Sequence, residues 1–227
     1  MPIISNDCRG AVNPQYILVV AVVIIMGWFA FGVIYNLRRG DALLKWMQNG
    51  LPGIGQRTTF RWLGTSVAEL VIAHAKKPFR RLETLLVLKP RDVFWMTIIA
   101  HFQGREDIVI FRAQLSTAPL VDLELVDPKT WSGRNALNQV SERKWENKAY
   151  QDLQLLAPRG LLDMATRTLD RLVIPMRKLS PRYARFSLRR DAPNLELHMP
   201  FPQYRTTDAD QYFEALRGLA RAISERE

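Results

Sequence analysis

The longest break in the mixed polarity of the chain is "YILVVAVVIIMGWFAFGVIY", Tyr16 to Tyr35, which carries no charge. As a helix at about 1.5 Å per residue it spans roughly 30 Å, the thickness of a bilayer's hydrocarbon core. Its Val, Ile, Leu and Phe residues contribute on the order of −4 to −7 kcal/mol toward insertion. The pattern predicts a transmembrane helix over 16–36. It reads as retained, because "MPIISNDCRGAVNPQ" lacks a basic n-region and "FGVIYNLRR" lacks a small-x-small cleavage site. Arg9 stands alone before the segment, whereas Arg38, Arg39 and Lys45 follow it. By the positive-inside rule, a short tail over 1–15 faces the lumen or the outside, and residues 37–227 are cytoplasmic. Tyr16 and Tyr35 suit the two interfaces. Gly27 and Gly32 are five apart, so the small-xxx-small pairing motif is missing.

Beyond the anchor the pattern shortens. "DALLKWMQNG" predicts a brief amphipathic helix under the membrane, with Asp41 as cap, Leu43, Leu44, Trp46 and Met47 as apolar side, and Gly50 as stop. "LPGIGQRTTF" reads as a loop. "SVAELVIAHAKK" is open between a helix, for which Ser66 and Glu69 form a capping box, and a strand over "ELVIAH". "FRRLETLLVL", Phe79 to Leu88, predicts a strand. "RDVFWMTIIAHFQG" has helix boundaries in Asp92 and Gly104 but β-compatible residues between them. "EDIVIFRAQLS" and "LVDLELVD" predict strands, the second alternating apolar and acidic residues and so keeping one face wet. "NALNQVSERKWENKAYQDLQLLA" and "LLDMATRTLDRLVIPMRKL" predict helices separated by Pro158 and Gly160, with Pro175 ending or kinking the second. "ARFSLRRD" and "NLELHMPF" predict a hairpin around "DAPN". Asp208 then opens a last helix whose Tyr212, Phe213, Leu216, Leu219, Ala220 and Ile223 keep helical spacing. Together these predict one mixed α+β domain.

Charge adds a surface to this outline. The 227 residues carry a net charge of +10. Asp7 and Arg9 cancel, so the excess belongs to residues 37–227. It concentrates in 76–91, with Lys76, Lys77, Arg80, Arg81, Lys89 and Arg91 against Glu83. A second concentration is 167–190, with Arg167, Arg171, Arg177, Lys178, Arg182, Arg185, Arg189 and Arg190 against Asp170. Clustered cations attract phosphate, as RNA or as anionic lipid headgroups. The candidate contacts are Lys76, Lys77, Arg80, Arg81, Arg177, Lys178, Arg182, Arg185, Arg189 and Arg190, with Arg38, Arg39 and Trp46 at the membrane flank. A merely solvated surface is the alternative.

Motifs for chemistry are sparse. The single cysteine, Cys8, precedes the anchor, which leaves the cytoplasmic part without a thiol for catalysis or zinc. The glycines of "LPGIGQRTTF" lack the Gly-Lys-Ser/Thr ending of a phosphate loop. His74, His101 and His198 each stand in an apolar stretch and read as core or surface residues. No Gly-x-Ser-x-Gly elbow occurs, and Glu106 and Asp107 read as turn or surface acids. No metal or cofactor is expected.

The segment "LETLLVLKPRDVFWMTIIAHFQGREDIVIFRAQLS" resembles the calumin family of endoplasmic-reticulum membrane proteins, in which one transmembrane helix leads into a basic cytosolic domain. Leu82, Leu85, Leu88, Lys89 and Asp92 carry the likeness, the last two as an "LKxxD" joining strand to helix, and Ile110 agrees without a gap. Trp46 falls where the family has a Trp-containing helix, and "NLELHMPFP" resembles its late strand. The resemblance implies a strand at "ELVIAH" and a helix at "DVFWMTIIAHF". It further implies a role in the translocon-associated PAT complex, which shelters partly inserted multipass proteins near the ribosome. The family's long acidic luminal segment and long basic coiled coil have no counterpart here, so the membrane-side scaffold is the part implied. The expectation is a non-enzymatic protein assisting insertion or assembly of multipass membrane proteins, in the endoplasmic-reticulum or a prokaryotic plasma membrane. Its expected partners are insertion-complex subunits, client proteins, ribosomal RNA and anionic lipids. The alternatives are a membrane-tethered enzyme acting on lipids or phosphorylated substrates, with the arginines of 167–190 as phosphate contacts, and a scaffold for some other membrane complex.

Overall fold

A computed structural model describes residues 14–141 and 145–225. Cys8, Arg9 and the rest of the tail through residue 13 lie outside the described residues, as do 142–144 within the helix expected over 135–157.

The first element corrects the first expectation beyond the apolar segment. Helix α1 runs unbroken from Pro14 to Gly50, so the apolar segment and the expected separate helix at 41–50 are one rod of 37 residues. At about 1.5 Å per residue it is roughly 55 Å long. Asp41 sits exposed inside it rather than capping a new start. The helix continues because nothing from Tyr35 to Met47 breaks it, Gly40 being tolerated by packing: a Cβ there would meet the Trp62 ring. Residues Tyr16 to Phe31 are exposed, and the helix is long and apolar enough to cross a membrane. Its second half buries a stripe at helical spacing: Gly32, Asn36, Gly40, Leu43, Met47 and Gly50.

After a 3₁₀ turn at Leu51–Gly53 come β1 (Thr58–Trp62), β2 (Val67–Ile72) and β3 (Phe79–Val87). Then follow α2 (Phe94–Phe102), β4 (Ile108–Leu115), β5 (Leu123–Val126), α3 (Trp131–Ser141), β6 (Glu146–Tyr150) and β7 (Leu153–Ala157). The chain closes with α4 (Leu162–Leu179), β8 (Arg185–Leu188), β9 (Leu195–Pro200) and α5 (Ala209–Ser224). The strands form one antiparallel sheet in the order β1-β2-β3-β4-β9-β8-β5-β7-β6. The α+β class is as expected. "ELVIAH" is a strand and "FWMTIIAHF" a helix.

Several boundaries differ. Part of the expected loop at 51–60 is strand β1, which pairs with β2. The helix expected through "WENKAYQDLQLLA" is instead the β6–β7 hairpin, turning at Gln151 with φ 55°. Its Leu153, Leu155 and Ala157 line one face, and burying that face outweighs the helix propensity of the Glu, Lys and Gln residues. Asp92 does not cap α2; Val93 holds that position and the Asp92 carboxylate accepts from Thr65 Oγ1 at 2.7 Å. Helix α4 continues past Pro175 to Leu179. The final helix is as its pattern indicated, with Asp208 accepting from the Gln211 N–H and Tyr212, Phe213, Leu216, Leu219, Ala220 and Ile223 buried.

Alternation along the strands gives the sheet two unlike faces. The inner face, with Leu70, Leu82, Phe111, Leu125, Leu155, Phe186 and Leu197, is covered by the second half of α1, by α4 and by α5. The outer face is polar over β8 and β9, mixes Glu69, Arg112 and Gln114 with valines and isoleucines over β2 and β4, and is partly covered by α3 through Ala136 against Val126 and Leu156.

Candidate functional site

Three arrangements of polar side chains stand out. The first joins α1 to the sheet. Asn36, buried in the helix, donates from Nδ2 to the Lys89 carbonyl at 3.0 Å and accepts from Arg91 Nη1 at 3.0 Å. Arg91 also donates to both oxygens of Asp107 at 2.9 Å, the Lys89 N–H donates to Asp107 at 2.8 Å, and Arg39 Nε lies 2.9 Å from the same carboxylate. Asp107, which reads from sequence as a turn or surface acid, is thus buried and ties β4, the β3 exit and α1 together. Gly32 lets this happen: a Cβ there would overlap the Arg91 carbonyl. This junction defines a near end of the sheet, where β3 leaves at Val87 and β4 enters at Ile108, and a far end where β3 begins at Phe79.

The second arrangement lies on the outer face. Glu83, Arg112, Glu196, Ser187 and Glu124 face one another across β3, β4, β9, β8 and β5. Glu124, whose alternation pointed to a wet face, is fully buried, because Arg185 and Arg189 both pair with it under the cover of α3. Two of the candidate phosphate contacts, Arg185 and Arg189, are therefore engaged by this carboxylate.

From the same row rises a relay. His198 Nε2 lies 2.6 Å from Glu196 Oε1, and His198 Nδ1 lies 2.6 Å from Ser132 Oγ. Burial alone would raise the Glu196 carboxyl, but the hydrogen bond and charge of His198, aided by Arg185 and Arg112, hold it down at about 2. The ionised Glu196 accepts from Nε2–H, and Nδ1 on the other side of the ring faces the Ser132 hydroxyl, accepting from it in the neutral tautomer and donating to it in the charged ring. Hydroxyl, imidazole and carboxylate in series are the parts of a nucleophile, its base and an orienting group. Ser132, in the first turn of α3, lines a cavity of about 370 Å³ at the near end, with Lys89, Arg105, Trp131 and Arg182 among its walls. Arg105 stacks on Trp131 at 4.3 Å. Sequence reasoning missed this relay. "ELH" at alternate strand positions puts Glu196 and His198 on one face, but nothing local brings Ser132 to them.

The third feature is the distribution of exposed cations. Lys76, Lys77, Arg80 and Arg81 are exposed at the far end, with Lys76 Nζ donating to the Pro52 carbonyl at 2.8 Å. Arg190 is exposed and also far, since it follows β8 and its N–H donates to Asp122 at 2.7 Å. Arg177, Lys178 and Arg182 are exposed beside Pro200 and Phe201, at the near end. The basic run 167–190, continuous in sequence, is thus divided between two ends. Eight residue steps along β3 separate them by roughly 26 Å. Of the expected flank residues, Arg38 is exposed on α1 and Arg39 pairs with Asp107. Trp46 instead packs into the core on Tyr212 at 5.2 Å and donates to the Thr207 carbonyl at 2.7 Å.

Among the described residues no group of three or more His, Cys, Asp or Glu is placed to hold a metal ion. Comparison with known protein families and with curated proteins finds no match.

Proposed function

We propose that this is a single-pass membrane protein whose α1 crosses the bilayer over Tyr16–Tyr35, with its α+β domain in the cytoplasm, and that it assists insertion or assembly of multipass membrane proteins without catalysing a reaction. The observation that carries this reading is the far basic rim of Lys76, Lys77, Arg80, Arg81 and Arg190, held roughly 26 Å from the end where α1 enters the domain. That separation is more than twice the Debye length of about 8–10 Å. The far rim is therefore outside the reach of the lipid surface, and a polyanion that meets it comes from the cytosol; ribosomal RNA is the candidate. The near cations Arg177, Lys178 and Arg182 are those that fit anionic headgroups. The resemblance to calumin-type proteins supplies the client class. The continuity of α1 with the core supports a role at the membrane surface, since the anchor is part of the fold rather than a tether.

The test is sedimentation of mild-detergent extracts with ribosomes at low salt. Charge reversal of Lys76, Lys77, Arg80 and Arg81 should abolish pelleting and flatten its salt dependence. Reversal of Arg177, Lys178 and Arg182 should weaken only liposome binding. A wild-type protein that never pellets with ribosomes, at any salt, would sink the ribosome-linked role.

One observation favours a second reading, a membrane-tethered hydrolase: the Ser132–His198–Glu196 relay on the wall of the near-end cavity. Hydrolysis of short-chain esters or lipids, lost on Ser132→Ala and on His198→Gln, would put that reading first.

A further inference from the structure

Helix α2 is unlike the other helices of the domain. From Val93 to Gly104 the chain carries no Asp, Glu, Lys or Arg. Within α2, Phe94, Trp95, Met96, Ile98, Ile99 and Phe102 are all exposed, Phe102 by 84%, and Ala100 is the buried residue. Leaving so much apolar surface in water is unusual for a soluble domain.

The position of α2 indicates what covers it. At its start, Phe94 packs edge-on against Trp28 with ring centroids 5.1 Å apart, and Gly32 accommodates the Arg91 backbone one turn further along α1. At its other end the Gln103 carbonyl accepts from Arg134 Nη2 of α3 at 2.9 Å. The helix therefore runs along the near rim of the domain from α1 toward α3. Trp28 lies within the charge-free segment, seven residues before Tyr35, or about 10 Å deeper along the helix. A side chain touching Trp28 shares that depth, which is the depth at which interfacial helices seat their apolar face.

Resting on the membrane-spanning reading of α1, we propose that α2 is seated in the cytoplasmic leaflet, with Phe94, Trp95, Ile99 and Phe102 among the acyl chains, as a second membrane contact of the domain. The continuity of its exposed surface with that of α1 selects lipid as the occupant. Together with α1, it fixes how the domain is turned about the anchor, which one helix alone would leave free.

The test uses the full chain with Cys8→Ser, reconstituted into phosphatidylcholine–phosphatidylglycerol vesicles. Single cysteines replace Ile99, Phe102 or Val23 and carry an environment-sensitive fluorophore. Nitroxides on shallow acyl positions should quench most of the emission at positions 99 and 102, while aqueous iodide leaves it nearly unchanged. Iodide quenching at positions 99 and 102 with lipid quenching at Val23 would overturn the α2 assignment alone. Failure of lipid quenching at Val23 would overturn the spanning reading, and this inference with it. Shielding of positions 99 and 102 from both quenchers, with Val23 quenched by lipid, would mean that protein covers α2, which also overturns it.

Discussion

Asp107→Ala would remove a carboxylate that is 4% exposed and accepts from Arg91 Nη1 and Nη2 at 2.9 Å and from the Lys89 N–H at 2.8 Å. Its pairing with Arg39 at 2.9 Å goes too, but that side chain is 35% exposed and water can replace most of what it loses. The cost therefore rests on Arg91, 22% exposed, and on the orphaned Lys89 N–H. Removing one partner of a buried pair costs about 3–5 kcal/mol. For a folded part of this size, with roughly 2–4 °C of Tm per kcal/mol, the expected loss is about 6–20 °C. Thermal unfolding of the full chain in nanodiscs, followed by circular dichroism, reads it directly. Asp107→Asn keeps the shape and one acceptor and should lose less. Asp107→Leu combined with Arg91→Met removes both charges and should recover part of the stability. An Asp107→Ala protein melting within about 2 °C of the parent would refute the reasoning, because the junction would then lie outside the cooperative unit.

Gly32→Leu should destabilise by about 1–3 kcal/mol through overlap with the Arg91 carbonyl, whereas Gly27→Leu, with open space around it, should be neutral; the same melts compare them. Glu196, held at about 2 against an ordinary 4.5, is lowered on folding, so its contribution is complete above pH 4.5 and is lost as pH falls toward 2. At 1.36 kcal/mol per unit this amounts to about 3 kcal/mol. Urea unfolding between pH 5 and pH 2.5 should show the decline, and Glu196→Gln should flatten it.

How much of this was legible depended on whether the deciding interactions are local. The helical character of the apolar run in α1, the Asp208 cap and the stripe of α5 are written in neighbouring residues, and each is formed where its pattern indicated. The division between α1 and residues 41–50 was misread because Asp41 carries a cap's chemistry wherever it stands; only the packing of Gly40, Leu43 and Met47 on the sheet shows that the helix never stopped. Glu124 and Asp107 were misread for a shared reason. An acid next to apolar residues looks solvated until the arginines that neutralise it, Arg189 and Arg91, arrive from elsewhere in the chain. The relay at His198 depends on Ser132, 66 residues away, and is a property of the topology. The basic clusters were visible as charge, but their division between two ends followed only from strand direction.

The unbroken path of α1 makes the domain a lever. With Asn36, Arg91 and Asp107 clamping the helix where it meets the sheet, tilt of the first half of α1 has no hinge in which to dissipate. Transmembrane helices tilt by about 20° on average and adjust to bilayer thickness. Over roughly 26 Å of sheet, a 20° change swings the far rim sideways by about 9 Å. If α1 spans a bilayer as proposed, a few ångströms of thinning around it would be felt at Lys76, Lys77, Arg80 and Arg81 as a change of reach, converting the state of the lipid into the position of a charged edge.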